Sequence, residues 1–250
     1  MEKISVLIIS KNEEDVIEDC IKSVKSLADE IILVDDSDDK TPEIAKKLGA
    51  KVVRNAFKNF ADQRSLATSL AANDWIFYID SDERVTPAFI KDLKSRIFDL
   101  RLDTEIGGFW VRRKTFFYGK DWGFADRVQR VFKKDKLKGW HGVVHETPQV
   151  DGRLLTIDEP ILHHTHRDFE QMVKKTNEWS EFEADLRLKT NHPKMNVLRF
   201  ARVMTTAFLG SYFREGGWKN GTAGIMEAIY QSFSIYSFRY YDTTDFRKRE

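Results

Sequence analysis

The sequence has little cysteine, no long apolar run and almost no net charge. Cys20 is the single cysteine among 250 residues, so no disulfide can form within the chain, and a reducing compartment fits. No stretch approaches the roughly 20 apolar residues of a transmembrane helix, and residues 1–10 lack the features of a secretory signal. The net charge of +1 gives no broad field that would favour nucleic acid. We therefore expect a cytoplasmic protein, and leave open a peripheral contact with the inner face of the cytoplasmic membrane.

Two phosphate-binding motifs are also missing. No Gly-x-Gly-x-x-Gly follows the first apolar run, which argues against a Rossmann oxidoreductase, and there is no Walker loop. The sequence does have ample material for a core, because 41% of its residues are hydrophobic while 32% are charged. This balance is typical of one large domain, or of one domain with an appended segment.

The first hundred residues alternate between apolar runs and segments with helical spacing. Strands are predicted at residues 4–10, 31–34, 51–53 and 75–79, and helices at residues 14–27, 41–48, 64–72 and 87–100. This order predicts an α/β fold with a Rossmann-like, mostly parallel central sheet that is flanked by helices.

The alternation ends near residue 107, and from there to about residue 170 the pattern predicts only short strands. From residue 168 the chain is predicted to be helical, and it is unusually aromatic and basic. We therefore expect an α/β domain at 1–167 and a helical C-terminal region, aromatic and basic, at 168–250.

Three carboxylates follow the fourth predicted strand within four positions: Asp80, Asp82 and Glu83. Such a cluster has no structural use at the tip of a buried strand, because like charges repel and resist desolvation. A divalent cation would resolve the conflict, since Mg²⁺ and Mn²⁺ prefer carboxylate oxygens. The alternative is that Asp-Ser-Asp forms an ordinary turn.

Polar residues also follow two other predicted strands. Ser10, Asn12 and Glu13 come after the first strand, and Asp35 comes after the second. Because ligands of parallel sheets bind beyond the carboxyl ends of the strands, we expect these side chains and Asp80 to face one crevice. Three strand ends with polar groups indicate a site more strongly than any one of them.

These strand ends resemble those of the family 2 glycosyltransferases. Residues 5–14, 30–35 and 74–84 carry the resemblance, while residues 60–64, 144–146, 150–152 and 163–167 resemble the lipopolysaccharide core glucosyltransferase subgroup. The resemblance implies the GT-A fold, with residues 1–167 as the nucleotide-sugar-binding and catalytic domain. It also implies an inverting, metal-dependent transfer of sugar from a nucleotide-diphospho-sugar, with UDP favoured. The implied acceptor is a glycolipid or a lipopolysaccharide or polysaccharide precursor. Residues 35–41 depart from the family pattern, because this loop is one residue shorter and lacks glycine.

The resemblance also implies roles for individual residues. Asp82 is expected to bind Mg²⁺ or Mn²⁺ directly, with Asp80 and His163 as further metal ligands, and Glu146 is the expected catalytic base. Asp80 is also expected to hold the ribose or a metal-bound water, and Asp35 to accept a hydrogen bond from the base. The nucleotide and donor site would comprise Ser10, Asn12, Glu13, Asp35, Arg64, Asp80 and Ser81.

Several of these residues have a structural alternative. Arg64 fits a surface position on a helix, Glu146 fits an ion-paired surface glutamate, and the late histidines fit turns or stacking on aromatic rings. His141 and His145 have the spacing of a zinc pair on a helix, but Gly142 makes a helix there doubtful.

The expected partners are the nucleotide-sugar donor and a glycan or lipid-linked acceptor, without nucleic acid. The aromatic and basic residues of 197–241 are predicted to pack on the sheet domain, with membrane contact or a homodimer as the alternatives. Two other functions stay open. One is a nucleotide-sugar-binding module without catalysis, and the other is a metal-dependent phosphohydrolase that would consume donor equally fast with or without acceptor.

Overall fold

The computed structural model describes residues 2–141, 146–165, 168–170, 172–174, 176–177 and 196–234. Its strands are β1 Ile4–Ser10, β2 Glu30–Asp35, β3 Lys51–Arg54, β4 Trp75–Tyr78, β5 Glu83–Arg84, β6 Ile106–Phe117, β7 Lys120–Lys133, β8 Leu137–His141, β9 Thr147–Val150 and β10 Arg153–Thr165. Its longer helices are α1 Ile17–Val24, α2 Thr41–Lys47, α3 Phe60–Leu70, α4 Pro87–Asp99, α5 Val197–Leu209 and α6 Gly221–Ser234.

Eight strands form one sheet in the order β3-β2-β1-β4-β7-β6-β10-β5, and β8 pairs with β9 in a separate hairpin. β1 is parallel to both β2 and β4, and β2 is parallel to β3. β7 is antiparallel to β4, and β5 is antiparallel to β10. The parallel strands with their crossover helices confirm the predicted α/β fold class, and they align the carboxyl ends of β1, β2 and β4 along one edge.

The apolar strands are buried on both faces, which explains their continuous hydrophobic runs. On β4, Phe77 belongs to a core cluster with residues of α1 and α4, whereas Ile76 and Tyr78 belong to a second cluster with residues of α3. β1 and β2 alternate between the same two clusters in the same way. Because successive side chains of a strand point to opposite faces, we refer below to the α1/α4 face and the α3 face of the sheet.

Helix α3 begins four residues earlier than the spacing predicts. The side chain of Asn59 accepts a hydrogen bond from the backbone N–H of Asp62 at 2.8 Å and so caps the helix. This cap places Arg64 in the second turn of α3 rather than at its start. The sequence prediction followed the apolar spacing and missed the cap.

The prediction of only short strands after residue 107 is wrong. β6, β7 and β10 contain 12, 14 and 13 residues, and long parts of them carry charged and half-buried side chains. A strand that is buried over only part of its length shows no continuous apolar run, so its ends cannot be located from hydrophobicity.

The chain divides into two compact units, one at residues 1–115 with 125–164 and one at residues 116–124 with 165–250. The predicted boundary at residue 167 stays a prediction. In the second unit, Phe213, Trp218 and Phe233 are more than half exposed, while the aromatic residues after 234 lie outside the described part of the chain. No helix among the described residues has the length and apolar character needed to span a bilayer.

Candidate active site

Asp80 lies just beyond the carboxyl end of β4, where two arginines bind it. One carboxylate oxygen accepts hydrogen bonds from Arg64 Nη2 at 3.2 Å and from Arg130 Nη1 at 3.3 Å, and the other oxygen contacts Arg130 Nη2. Burial alone would raise the pKa of Asp80, but the guanidinium charges of Arg130 and Arg64 hold it well below its usual range. Asp80 is therefore a carboxylate anion at neutral pH.

Glu83, the third carboxylate of the cluster, supports the turn from within the core. It is fully buried, and its Oε2 accepts the backbone N–H of Asp80 at 3.0 Å. Its Oε1 accepts from Arg130 at 2.7 Å and from Arg113 at 3.4 Å. The negative charge of Glu83 is therefore neutralised by the guanidinium groups of two arginines rather than by a metal ion.

The charged groups form one alternating chain through the site. It begins at Glu146, whose Oε1 accepts from Arg64 Nε at 2.7 Å, and it ends at Asp126, which accepts from Arg113 at 3.0 and 2.6 Å. The complete order is Glu146, Arg64, Asp80, Arg130, Glu83, Arg113 and Asp126. This arrangement satisfies buried charges that would otherwise be costly, and it fixes the side-chain positions of Asp80 and Glu146 relative to each other.

Arg64 is buried, so the alternative that it is a surface residue of a helix does not hold. Its side chain is only 6% exposed, and its guanidinium lies 5.1 Å from the ring centroids of both Tyr78 and Trp140. Two aromatic rings and two carboxylates therefore hold it in one orientation. Burial raises the pKa of Tyr78 to about 12, so its hydroxyl stays neutral beside this cation.

Asp82 and His163 lie next to each other on the other side of the turn. β5 and β10 pair through Glu83 and His163, and His163 Nε2 lies 3.4 Å from Asp82 Oδ2. The carboxylate is the ligand type that Mg²⁺ and Mn²⁺ prefer, and the imidazole nitrogen is a further donor to a divalent transition metal. Within the described ranges, no three His, Cys, Asp or Glu side chains form a group that could hold a metal ion.

The polar residues after β1 and β2 lie together, as their strand positions predict. Asp35 is buried, and its carboxylate accepts hydrogen bonds from Ser10 Oγ at 2.6 Å and from the backbone and hydroxyl of Ser37 at 3.1 and 2.6 Å. The backbone N–H of Asn12 donates to Ser37 Oγ at 2.7 Å, and the backbone N–H of Glu13 donates to Thr41 Oγ1 at 2.9 Å. Asp35 therefore orders this loop, and its contact with a nucleotide base stays a prediction.

A cavity of about 390 Å³ opens beside Asp80. The α3 helix, the β8–β9 hairpin and strands β6 and β7 all contribute to it. Its lining residues are Arg64, Asp80, Trp110, Val128, Gln129, Arg130, Trp140, Glu146, Thr147 and Pro148. The cavity thus brings together Glu146 and Asp80, which are 66 positions apart in the sequence, and leaves Asp35 outside.

The remaining predicted residues are placed as follows. Ser81 is buried, and its carbonyl oxygen accepts a hydrogen bond from Arg84 at 2.8 Å. His141 lies on strand β8, where its Nε2 is 2.8 Å from Gln149 Oε1, so it is not on a helix, in agreement with the doubt that Gly142 raised. His145 and His166 lie outside the described residues. Sequence reasoning missed Arg113 and Arg130, because nothing in a strand pattern distinguishes an arginine that reaches a distant carboxylate.

Comparisons with known proteins identify related sequences. The family model described as "Glycosyl transferase family 2" matches residues 5–149. An uncharacterized glycosyltransferase of Rickettsia typhi is 30% identical over 249 residues, which cover 94% of this chain and 84% of the relative. LpsC of Rhizobium meliloti, a lipopolysaccharide core biosynthesis glycosyltransferase, is 26% identical over 94% of this chain and 89% of its own length.

Solved structures also resemble the chain at low identity. Glucosyl-3-phosphoglycerate synthase of Mycobacterium tuberculosis, in complex with Mn²⁺, UDP and phosphoglyceric acid, matches with a TM-score of 0.49 and 18% identity, covering 77% of this chain and 80% of that one. TarS of S. aureus matches with a TM-score of 0.46 and 13% identity over 99% of this chain and 92% of that one.

Proposed function

Because the chain belongs to glycosyltransferase family 2 and has its GT-A fold, we propose that it is an inverting, metal-dependent transferase. It moves a sugar from a UDP-sugar to a hydroxyl group of a glycolipid or of a lipopolysaccharide or polysaccharide precursor. The observation that carries the proposal is the placement of Glu146 and Asp80 on one cavity, where Arg64 joins them at 2.7 and 3.2 Å.

Glu146 is the proposed general base. Its carboxylate lines the cavity and is held by Arg64, so it can accept a proton from a hydroxyl group that enters there. As the hydroxyl oxygen bonds to the anomeric carbon of the donor, its proton passes to Glu146. The bond from that carbon to the diphosphate breaks in the same displacement, which inverts the configuration of the sugar.

The leaving diphosphate needs positive charge, and the turn after β4 is where the chain would supply it. Asp82 and His163 would hold the Mg²⁺ or Mn²⁺ ion, with Asp80 nearby as a ligand of the ion, of the ribose or of a metal-bound water. When bound, the ion acts as a Lewis acid for the departing phosphate. The side chains of Arg64 and Arg130 reach Asp80 at the same turn. Their guanidinium groups match the geometry of phosphate oxygens.

The acceptor class rests on likeness to relatives. The printed name of LpsC refers to lipopolysaccharide core biosynthesis, and the motifs of residues 60–64, 144–146, 150–152 and 163–167 resemble the core glucosyltransferase subgroup. Because a lipid-linked acceptor would lie at a membrane surface, we also propose a cytoplasmic location with peripheral contact at the inner face of the cytoplasmic membrane. Homodimer formation stays a prediction.

We expect UDP to bind the wild-type protein only when a divalent cation is present. Calorimetric titration of UDP should show binding with Mn²⁺ and none with EDTA, and Asp82→Ala should weaken Mn²⁺-dependent binding by about 100-fold or more, because it removes a metal ligand. Asp158→Ala, at a carboxylate that is 72% exposed, is the matched control and should bind as the wild type does. Unchanged, Mn²⁺-dependent binding by Asp82→Ala would refute the assignment of the metal ligand.

The two other functions predict different behaviour in the same preparation. A phosphohydrolase would release UDP from the donor at one rate whether or not acceptor is present, whereas a transferase accelerates when acceptor is added. A binding module would bind UDP and release nothing from a UDP-sugar. The position of Glu146 on the cavity favours the transferase over both.

A further inference from the structure

Trp110 lies on the α3 face of the sheet without a role in the chemistry described so far. Its neighbours on β6, Phe109 and Val111, are fully buried in the cluster of the α1/α4 face. The alternation of the strand turns Trp110 toward the opposite face, where it is half-buried and lines the cavity with Glu146. A large aromatic ring that stays partly exposed beside a candidate base is therefore available to a ligand.

The second tryptophan of the cavity, Trp140, already contacts neighbouring side chains through its ring. The ring of Trp140 stacks with Arg64 at 5.1 Å and makes an edge contact with Tyr78 at 5.0 Å. In the part of the chain that the structure describes, no ring or cation makes such a contact with Trp110. Trp110 is thus the aromatic surface in this cavity that a substrate can cover.

The lining of the cavity has two chemical parts. Its apolar part is formed by Trp110, Val128, Trp140 and Pro148, and its polar part by Arg64, Asp80, Gln129, Arg130, Glu146 and Thr147. A pyranose ring has the same division, because its C–H bonds form an apolar face and its hydroxyl groups lie at the edge. Its C–H face packs on an indole ring through dispersion and through the negative electrostatic potential of the π face, which attracts C–H hydrogens.

Four lining residues of the cavity also have a buried polar atom without a hydrogen-bond partner among the described residues. Three of these atoms are donors and one is an acceptor: Arg64 Nη1, Arg130 Nε, Trp140 Nε1 and Gln129 Oε1. Buried polar atoms are normally satisfied. A sugar hydroxyl both donates and accepts, so it is a chemically suitable partner for a lining that contains both unpaired donors and an unpaired acceptor. The volume of about 390 Å³ lies within the range of small-molecule pockets.

We propose that Trp110 is the stacking platform for the pyranose ring of the acceptor, so that this cavity selects a sugar rather than a small linear acid. The inference rests on the proposed function, because the acceptor is identified by the presence of Glu146 in the same cavity. Of the residues expected to bind the nucleotide and the donor, Arg64 and Asp80 line the cavity, whereas Ser10, Asn12 and Asp35 do not. Trp110 then determines specificity by orienting the ring so that one hydroxyl group faces Glu146.

The test uses saturation-transfer NMR on the full chain with two kinds of probe. Methyl glycopyranosides represent the sugar ring, and 3-phosphoglycerate represents a linear acidic acceptor. We expect the C–H protons of a pyranoside to receive saturation from the wild type, and Trp110→Ala to weaken pyranoside binding about tenfold, which is the upper range for one aromatic stack. Trp110→Phe should retain most of the binding, because it keeps an aromatic face.

Trp218→Ala is the control, because Trp218 is 54% exposed and belongs to the second unit. Equal pyranoside binding by wild type and Trp110→Ala would overturn the proposal, as would binding of 3-phosphoglycerate alone or of neither probe. Titration of UDP with Mn²⁺ on the same samples reports the proposed function separately. If both proteins bind UDP with Mn²⁺ and only Trp110→Ala loses the pyranoside, both proposals are supported. If the wild type does not bind UDP, the proposed function is contradicted, whatever the pyranoside result.

Discussion

Glu146→Gln should lower the rate constant of sugar transfer by at least about 100-fold, which is the usual contribution of a positioned general base. In the wild type, Arg64 Nε donates to a carboxylate oxygen of Glu146 at 2.7 Å. Glutamine keeps the shape of the side chain and can accept the same hydrogen bond, but it cannot accept the proton of the acceptor hydroxyl. Binding of UDP with Mn²⁺ should change by less than about twofold, because Glu146 is not among the proposed metal ligands. Removal of the base affects only the chemical step.

The matched control is Glu159→Gln, which removes the charge of an exposed glutamate on β10 and should leave transfer unchanged. Steady-state rates at several acceptor concentrations separate the rate constant from the acceptor KM. If Glu146→Gln transfers sugar at nearly the wild-type rate, the base is another group, and the role of the cavity in the reaction has to be reassigned.

Arg130→Met should destabilise the protein by about 3–5 kcal/mol, the usual cost of removing one partner from a buried ion pair. Arg130 is 6% exposed and binds both Asp80 and Glu83, and methionine fills similar volume without charge. Asp80 would keep Arg64, and Glu83 would keep Arg113 at 3.4 Å, but two carboxylates would then share weaker partners in a buried site.

Urea unfolding measures this effect, and Arg127→Met on the same strand is the control. Arg127 is exposed, so its replacement should change the free energy of unfolding by less than about 0.5 kcal/mol. A similarly small effect of Arg130→Met would show that the alternating charge chain does not hold the turn after β4.

The sequence predicts the parallel half of the sheet well, because β1, β2 and β4 are buried on both faces and leave continuous apolar runs. The edge where the site lies follows from that half, since parallel strands place their carboxyl ends together. Ser10, Asp35 and Asp80 are found at these ends as expected. Local patterns are sufficient when burial is uniform along an element.

The arginines that bind the carboxylates of the site could not be predicted from local patterns. Arg130 and Arg113 are separated from Glu83 by 47 and 30 positions, and their partners depend on how β6 and β7 lie beside β4. The cluster of three carboxylates predicts a need for positive charge but does not identify its source. In the structure, Glu83 accepts hydrogen bonds from two arginines, while Asp82 lies beside His163.

The most direct test of the account is the position of Mn²⁺ in crystals of the wild-type protein grown with UDP. Anomalous diffraction at the manganese edge locates the ion directly. The account predicts one peak within bonding distance of Asp82 and His163, with the diphosphate as a further ligand and Glu146 in the adjoining cavity. UDP bound without a peak at Asp82, or a peak bound by other residues, would contradict it.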